Sequence, residues 1–423
     1  MHRRLRMLLR WSTVMSSVKA FATKLQDRKV MQTAMEKRRV FPISGFKTVE
    51  PDHLVEEEEL PDYRADRFYP VQLGEVFKDR YQVLTKLGFG TSSTAWLARD
   101  LKARQYVALK VYVRTSLVHR ELPFYHHIAR HITESSHVGR GNIRRLLDFF
   151  EAAGPDGRHV VLVFEAAQMS LRDMKTVFWP DGFEENFVKG AIIELLKALD
   201  FLHTQGETVH TDVHPGNMLL GVYNNDLLRT LEEWEFTHPV LRKIVSSTRT
   251  IFHSRLMKPK EGPMLLSDFG EARIGPGPHG GDIMPLEYRA PEILLYVGWS
   301  YPVDVWSVGL TAWQLLEPKI LFTARDEDGD LYDAAHLAQL IAALGPPPPG
   351  FLAKNPERRS IFWDDQGQWL GLAPIPRGRT LEALETRLED KCGFLRFIRR
   401  ALTWMPEERP TAKELLQDPW LVG

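Results

Sequence analysis

The sequence predicts an α+β chain in two lobes: a small antiparallel β-sheet lobe carrying one helix, then a larger, mainly α lobe. Three observations lead there. From Tyr81, the runs "YQVLTKLGFG", "TAWLARD" and "YVALKVYV" alternate or concentrate apolar residues over strand lengths and are joined by turn residues. "ELPFYHHIARH", Glu121 to His131, then has helical spacing, with Pro123 tolerable only in a first turn. Two more strand-like runs, "IRRLLDFFEAA" and "HVVLVFEAA", close this unit near Ala167. Beyond it, "ENFVKGAIIELLKALDFLHTQG" keeps Phe187, Ile192, Leu195, Leu196, Leu199 and Leu202 on one helical face.

These patterns divide the chain into an N-terminal extension (1–66), a sheet lobe (67–167) and a helical lobe (168–423). The extension is basic at its start, carries the acidic run Glu56 to Glu59, and lacks a sustained strand or helix period, so it is expected to be mostly poorly ordered. Residues 221–263, which contain "LLRTLEEWEF", read as an insertion on the helical scaffold, and "LGPPPPG" at 344–350 as a stiff turn.

Lys+Arg and Asp+Glu both count 55, so no charge excess argues for nucleic acid or a membrane surface as partner. No run of eighteen uninterrupted apolar residues is present, which argues against a spanning helix. Cys392 is the only cysteine; it excludes an intrachain disulfide framework, suits a reducing compartment, and is expected to be a small buried residue. The first 26 residues hold Arg3, Arg4, Arg6, Arg10, Lys19 and Lys24 without an acid, a pattern that fits a mitochondrial transit peptide, a disordered basic tail or a misassigned start codon. Without import, cytoplasm and nucleus are the expected locations.

The chemistry gathers at five places. "LGFGTSSTAW" sets Gly88 and Gly90 between two strands, where a backbone without Cβ atoms can approach phosphate oxygens. A tight hairpin would use the same glycines. Lys110 stands in the apolar strand "VALKV", and Glu121 in the next helix offers it an ion pair that would hold its ammonium against phosphates. "VHTDVHPGNMLL" supplies Asp212, able to accept a hydroxyl proton, and Asn217, able to hold a metal ion. "LLSDFGEAR" places Asp268 between an apolar strand and a glycine, where a carboxylate can bind Mg²⁺. Phosphoryl transfer needs in-line positioning and charge neutralisation, and these residues supply both.

In these motifs, and in "YRAPE" (288–292), "DVWSVG" (304–309) and "EERPTAKELLQDPWL" (407–421), the chain resembles a eukaryotic protein kinase from about Tyr81 to Leu421. The resemblance implies the bilobal kinase fold, ATP and Mg²⁺, and a protein substrate. It also implies that Ser93, Ala95, Ala108, Glu165 and Ala167 join Gly88, Gly90, Lys110 and Glu121 around the nucleotide, with Phe164 behind adenine. Glu292 would pair with Arg409 to brace the lobe, and Asp304 would hold the catalytic-loop backbone. "HTD", the insertion, "GWSYPVDVWSVG" and "LLQDPWL" are most similar to the serine/arginine-rich protein-specific kinases, especially the fungal ones, which implies serines in arginine-rich segments as substrate. A monomer that binds neither nucleic acid nor membrane is expected.

Departures from the kinase pattern keep three readings open. Ser93 replaces a glycine and Ala95 a valine of the nucleotide loop, Thr211 replaces an arginine, Pro285 a threonine, and His214 the lysine that steadies the γ-phosphate. His214 is therefore a candidate catalytic residue beside Asp212 and Lys110. An active serine/threonine kinase, a pseudokinase scaffold and a small-molecule phosphotransferase, whose "H-x-D-x-H-P-G-N" this loop also matches, are the alternatives. Between Glu271 and Arg289 only Tyr288 could be phosphorylated, so switching by loop phosphorylation is not expected.

Overall fold

Six strands form the first lobe: β1 (Val76–Phe77), β2 (Tyr81–Phe89), β3 (Ser93–Asp100), β4 (Gln105–Tyr112), β5 (Leu146–Gly154) and β6 (Gly157–Glu165). They make one antiparallel sheet in the order β1-β2-β3-β4-β6-β5. The computed structural model describes residues 35–114, 121–389 and 391–423; the basic start of the chain lies outside them. Helix α1 (Glu121–Glu134) buries Glu121, Phe124, Tyr125 and Ile128, the i, i+3, i+4, i+7 set of one face, against the sheet residues Leu162 and Phe164.

The second lobe begins with α2 (Leu171–Phe178), capped by the Ser170 hydroxyl on the Asp173 N–H, and α3 (Glu185–Thr204). The predicted stripe on α3 is buried except for Phe187, which is exposed and lies tilted against Phe183 with ring centroids 4.5 Å apart. Two short antiparallel pairs follow, β7 (Thr208–Val209) with β12 (Arg273–Ile274) and β8 (Met218–Leu220) with β11 (Met264–Leu266). Because Met218 opposes Leu266, Asn217 and Asp268 leave the same end of the β8–β11 pair. Helix α5 (Pro302–Leu316) is buried on nearly every side and forms the centre of the lobe, with α6 (Asp333–Leu344) and α7 (Cys392–Ala401) around it.

The extension departs from expectation. From residue 35 it is built into the fold, because its charges find buried partners that local periodicity does not show. Glu57 pairs with Lys86 of β2, both buried, and Lys86 also stands 3.2 Å from Glu56. Glu58 holds Lys243 at 2.9 Å, and Glu56 accepts from the Ser254 N–H and hydroxyl at 2.8 and 2.6 Å. Lys243 and Ser254 come from the insertion, which forms α4 (Asp226–Thr237) and the hairpin of β9 (Arg242–Ile244) and β10 (Thr250–Phe252).

The insertion leaves the helical lobe but docks on the sheet lobe. Leu227, Leu228, Leu231 and Met257 pack with Leu84, Leu97, Tyr106 and Ala166, and Thr85 donates to Glu235 at 3.0 Å. Cys392, expected to be buried, is exposed, because α7 turns Phe394, Leu395, Phe397, Ile398 and Ala401 inward and leaves position 392 on the other face. Among the described residues no helix is long and apolar enough to cross a membrane.

Candidate active site

Strand register sets one wall of the site. Gly88 opposes Ala95, Ala95 opposes Lys110, and Ala108 opposes Phe164, so all five lie on one face of the sheet. The glycine turn is closed by the Gly90 N–H on the Ser93 carbonyl at 2.9 Å, and a Cβ added at Gly88 or Gly90 would meet nothing within 4 Å. At the end of β6, Glu165 follows the buried Phe164, and its carbonyl accepts from Arg144 at 3.4 Å. Neither the N–H nor the carbonyl of Ala167 has a backbone partner among the described residues, which leaves a donor and an acceptor for a planar base.

Lys110 carries the positive charge of the cleft. Its Nζ stands 2.8 Å from Glu121 Oε2 and 3.0 Å from Asp268 Oδ1. Burial opposes that charge, but the Asp268 and Glu121 carboxylates outweigh it and hold the ammonium well above its usual pKa. Tyr112, which sequence reasoning passed over, donates to the same Glu121 carboxylate. Its position two residues after Lys110 on the same strand face was the available signal.

Asp268 sits in left-handed backbone, φ +60°, a conformation that costs free energy for a residue with a Cβ and persists where packing fixes it. Phe269 provides that packing, stacked on Phe124 at 4.0 Å between ring centroids and 4.9 Å from His210. Burial would raise the Asp268 carboxyl, but the nearby Lys110 ammonium lowers it below the ordinary value, so it is ionised.

In the loop between β7 and β8, Asp304 accepts from the N–H groups of His210 and Thr211, both at 2.8 Å, and from His203 at 2.9 Å. This shapes the backbone on which Asp212 stands. Asn217 Nδ2 donates to the Asp212 carbonyl at 2.8 Å and to its Oδ2 at 2.9 Å, so Asn217 Oδ1 is the atom left for a cation. Asp268 and Asn217 thus offer oxygen donors of the kind Mg²⁺ takes. Burial pushes the Asp212 carboxyl up, and the hydrogen bonds of His214 and Asn217 together with the neighbouring imidazoles bring it below its ordinary value.

His214 differs from its expected role. Its Nδ1 accepts from the Gly216 N–H at 3.0 Å and from Arg172 Nη2 at 2.8 Å, both donor-only groups, so the ring hydrogen sits on Nε2. That Nε2 is 3.5 Å from Asp212 Oδ2 and 3.4 Å from Asn217 Nδ2. In this geometry the ring orients Asp212, and the nearby permanent cation is Arg172, which sequence reasoning missed because it is far away in the chain. Pro285 starts the turn before Tyr288 and gives Asp212 no hydroxyl, so His214 and Asn217 are its side-chain partners.

The lower lobe is braced as the resemblance implied: Arg409 meets Glu292 with two parallel bonds of 2.6 and 2.7 Å, both side chains fully buried. A model of the protein kinase domain matches residues 81–421. The chain belongs to the protein kinase family. Within it, the kinase is 42% identical to a serine/threonine protein kinase of Aspergillus fumigatus over 90% of this chain and 94% of that one. It is 28% identical to the serine/threonine-protein kinase SRPK of Physarum polycephalum, over 86% of this chain and 91% of the other. Human SRSF protein kinase 3 is 24% identical over 86% and 90% of the two chains. A solved kinase domain shares the fold with TM-score 0.66 and 24% identity, covering 84% of this chain and 98% of its own. The kinase is therefore a serine/threonine protein kinase, with SRPK and SRSF kinases among the relatives it is similar to.

Proposed function

We propose that this kinase transfers the γ-phosphate of ATP, with Mg²⁺, to serine or threonine hydroxyls of proteins carrying arginine/serine-rich segments. The observation that carries the reading is the presence of two hydrogen-bonded pairs, Lys110 with Asp268 and Asn217 with Asp212, with Asn217 and Asp268 leaving the same end of the β8–β11 pair. In it Asp212, kept ionised and aimed by Asn217 and His214, accepts the hydroxyl proton and orients the oxygen. Lys110 neutralises phosphate charge, while Glu121 and Tyr112 fix its position. Mg²⁺, when bound, would supply Lewis-acid charge neutralisation on the phosphates, and Asp268 and Asn217 are the residues that would hold it.

The serine/arginine preference is supported by the "HTD" loop and by the names of the relatives. The scaffold reading is disfavoured by the retention of the metal- and nucleotide-binding charges Lys110, Glu121 and Asp268, and the small-molecule reading by the buried Glu292–Arg409 brace below them. The test is phosphorylation of a peptide array by the purified chain with ATP and Mg²⁺, run beside aminoglycosides and aminoalcohols. Transfer to serine peptides supports the proposal; transfer to the small molecules alone, or to nothing, overturns it.

A further inference from the structure

We propose that Arg172 reads an anionic group, carboxylate or phosphoryl, on the protein substrate next to the accepting hydroxyl, and disfavours arginine at that position. The inference rests on the kinase reading above and narrows its substrate. Arg172 lies in the first turn of α2, and its N–H donates to the Pro215 carbonyl at 3.1 Å, tying the helix to the catalytic loop. Its guanidinium bonds His214 and lies over Gly216, where an added Cβ would come within 2.7 Å of Arg172 Cζ and 2.8 Å of His214 Cε1. Only glycine at 216 lets the cation take this place.

One of its five N–H groups is used on His214, the side chain is exposed, and it makes no ion pair among the described residues. The Tyr288 ring is 5.9 Å from that of His214, and its buried hydroxyl has no hydrogen-bond partner among the described residues. The His214 ring holds Arg172 on its Nδ1, while its Nε2 faces Asp212 and the metal-binding Asn217, so the guanidinium stands on the other nitrogen of the ring from the metal-binding side. An exposed cation joined through His214 to Asp212 suits an anion, and a guanidinium brought there by the substrate would meet like charge.

The test uses the full chain with ATP and Mg²⁺ on serine peptides that differ at one flanking position at a time, filled by Ala, Asp, phosphoserine or Arg. Wild type should show KM about tenfold lower for Asp or phosphoserine than for Arg at one such position, the size of a charge-assisted hydrogen bond gained against one lost. Arg172→Ala should level the ranking and Arg172→Glu should invert it in favour of Arg. A gain with phosphoserine and not Asp assigns the phosphoryl group; equal gains assign any anion. If Arg172→Glu ranks the peptides as wild type does, or Arg172→Ala lowers kcat equally on all of them with the ranking kept, the inference is overturned while the kinase reading stands. No transfer by wild type to any peptide overturns both.

Discussion

Lys110 Nζ lies 3.0 Å from Asp268 Oδ1 although the two residues are 158 positions apart. The contact crosses the cleft from the sheet lobe to the helical lobe, and Glu121 at 2.8 Å completes the triangle from the helix α1. A phosphate entering the cleft finds the cation already held in place, without cost of reorganisation.

Removing either member should therefore end catalysis. Lys110→Met and Asp268→Ala are expected to lower kcat/KM by about 100-fold or more, the scale of losing one preorganised electrostatic group. Lys110→Met also leaves the buried Glu121 carboxylate with Tyr112 and the Phe269 N–H as partners, so its unfolding free energy in urea titration should fall by about 1–3 kcal/mol. Steady-state kinetics and urea titration check both.

Asp212→Asn should bind ATP like wild type and lose transfer, since only proton acceptance and its charge are removed. The Asp212 and Asp268 pKa values are depressed in the folded chain. Their stabilising contribution is fully present above the unfolded carboxylate value, about pH 3.9, and is lost as pH falls through the lower folded values. Asp212 should thus give no acidic limb to kcat between pH 6 and 8, and Asp268→Asn should flatten the acid side of the stability curve below about pH 4.

The kinase should be active as made. Thr211 Oγ1 donates to the Glu271 carbonyl at 2.8 Å, β12 pairs with β7, and His279 exchanges backbone hydrogen bonds with Trp299 at 2.8 and 3.0 Å. These bonds fix the segment after Asp268 without a phosphate. Protein from bacteria should show the same rate before and after phosphatase treatment, and a large loss would locate a regulatory phosphate outside this segment.

For His214, alanine should lower kcat by about tenfold with little change in KM for ATP, because the ring positions Asp212 without holding nucleotide. His214→Asn, whose Oδ1 can accept from the Gly216 N–H, should keep more of the rate. Equal rates for wild type and His214→Ala would remove the residue from the mechanism.

Arg409→Ala should destabilise the chain by about 3–5 kcal/mol, since it strands a fully buried Glu292 carboxylate. Replacing both partners with apolar residues should cost less than the two single changes added together. Urea unfolding of the three variants measures the difference.

The line of catalytic groups was legible in the chain because each motif is local: a lysine in an apolar strand, an aspartate before glycine, an aspartate five residues from an asparagine. Strand and helix periods likewise revealed which faces of α1, α3 and the sheet are apolar. Local pattern says that a face is buried but not what covers it. The acidic run Glu56–Glu59 carries no period, and it became structure only through Lys86, Lys243 and Ser254, up to 198 positions away. Phe187 and Cys392 were misjudged for the same reason: residue type and spacing fix a preference for burial, while the neighbouring helices decide whether a partner is there. His214 shows the limit most plainly. Its sequence position suggested a stand-in for a lysine, but Arg172, brought over Gly216 by the packing of α2 on the loop, determines which nitrogen carries the proton and where the positive charge stands.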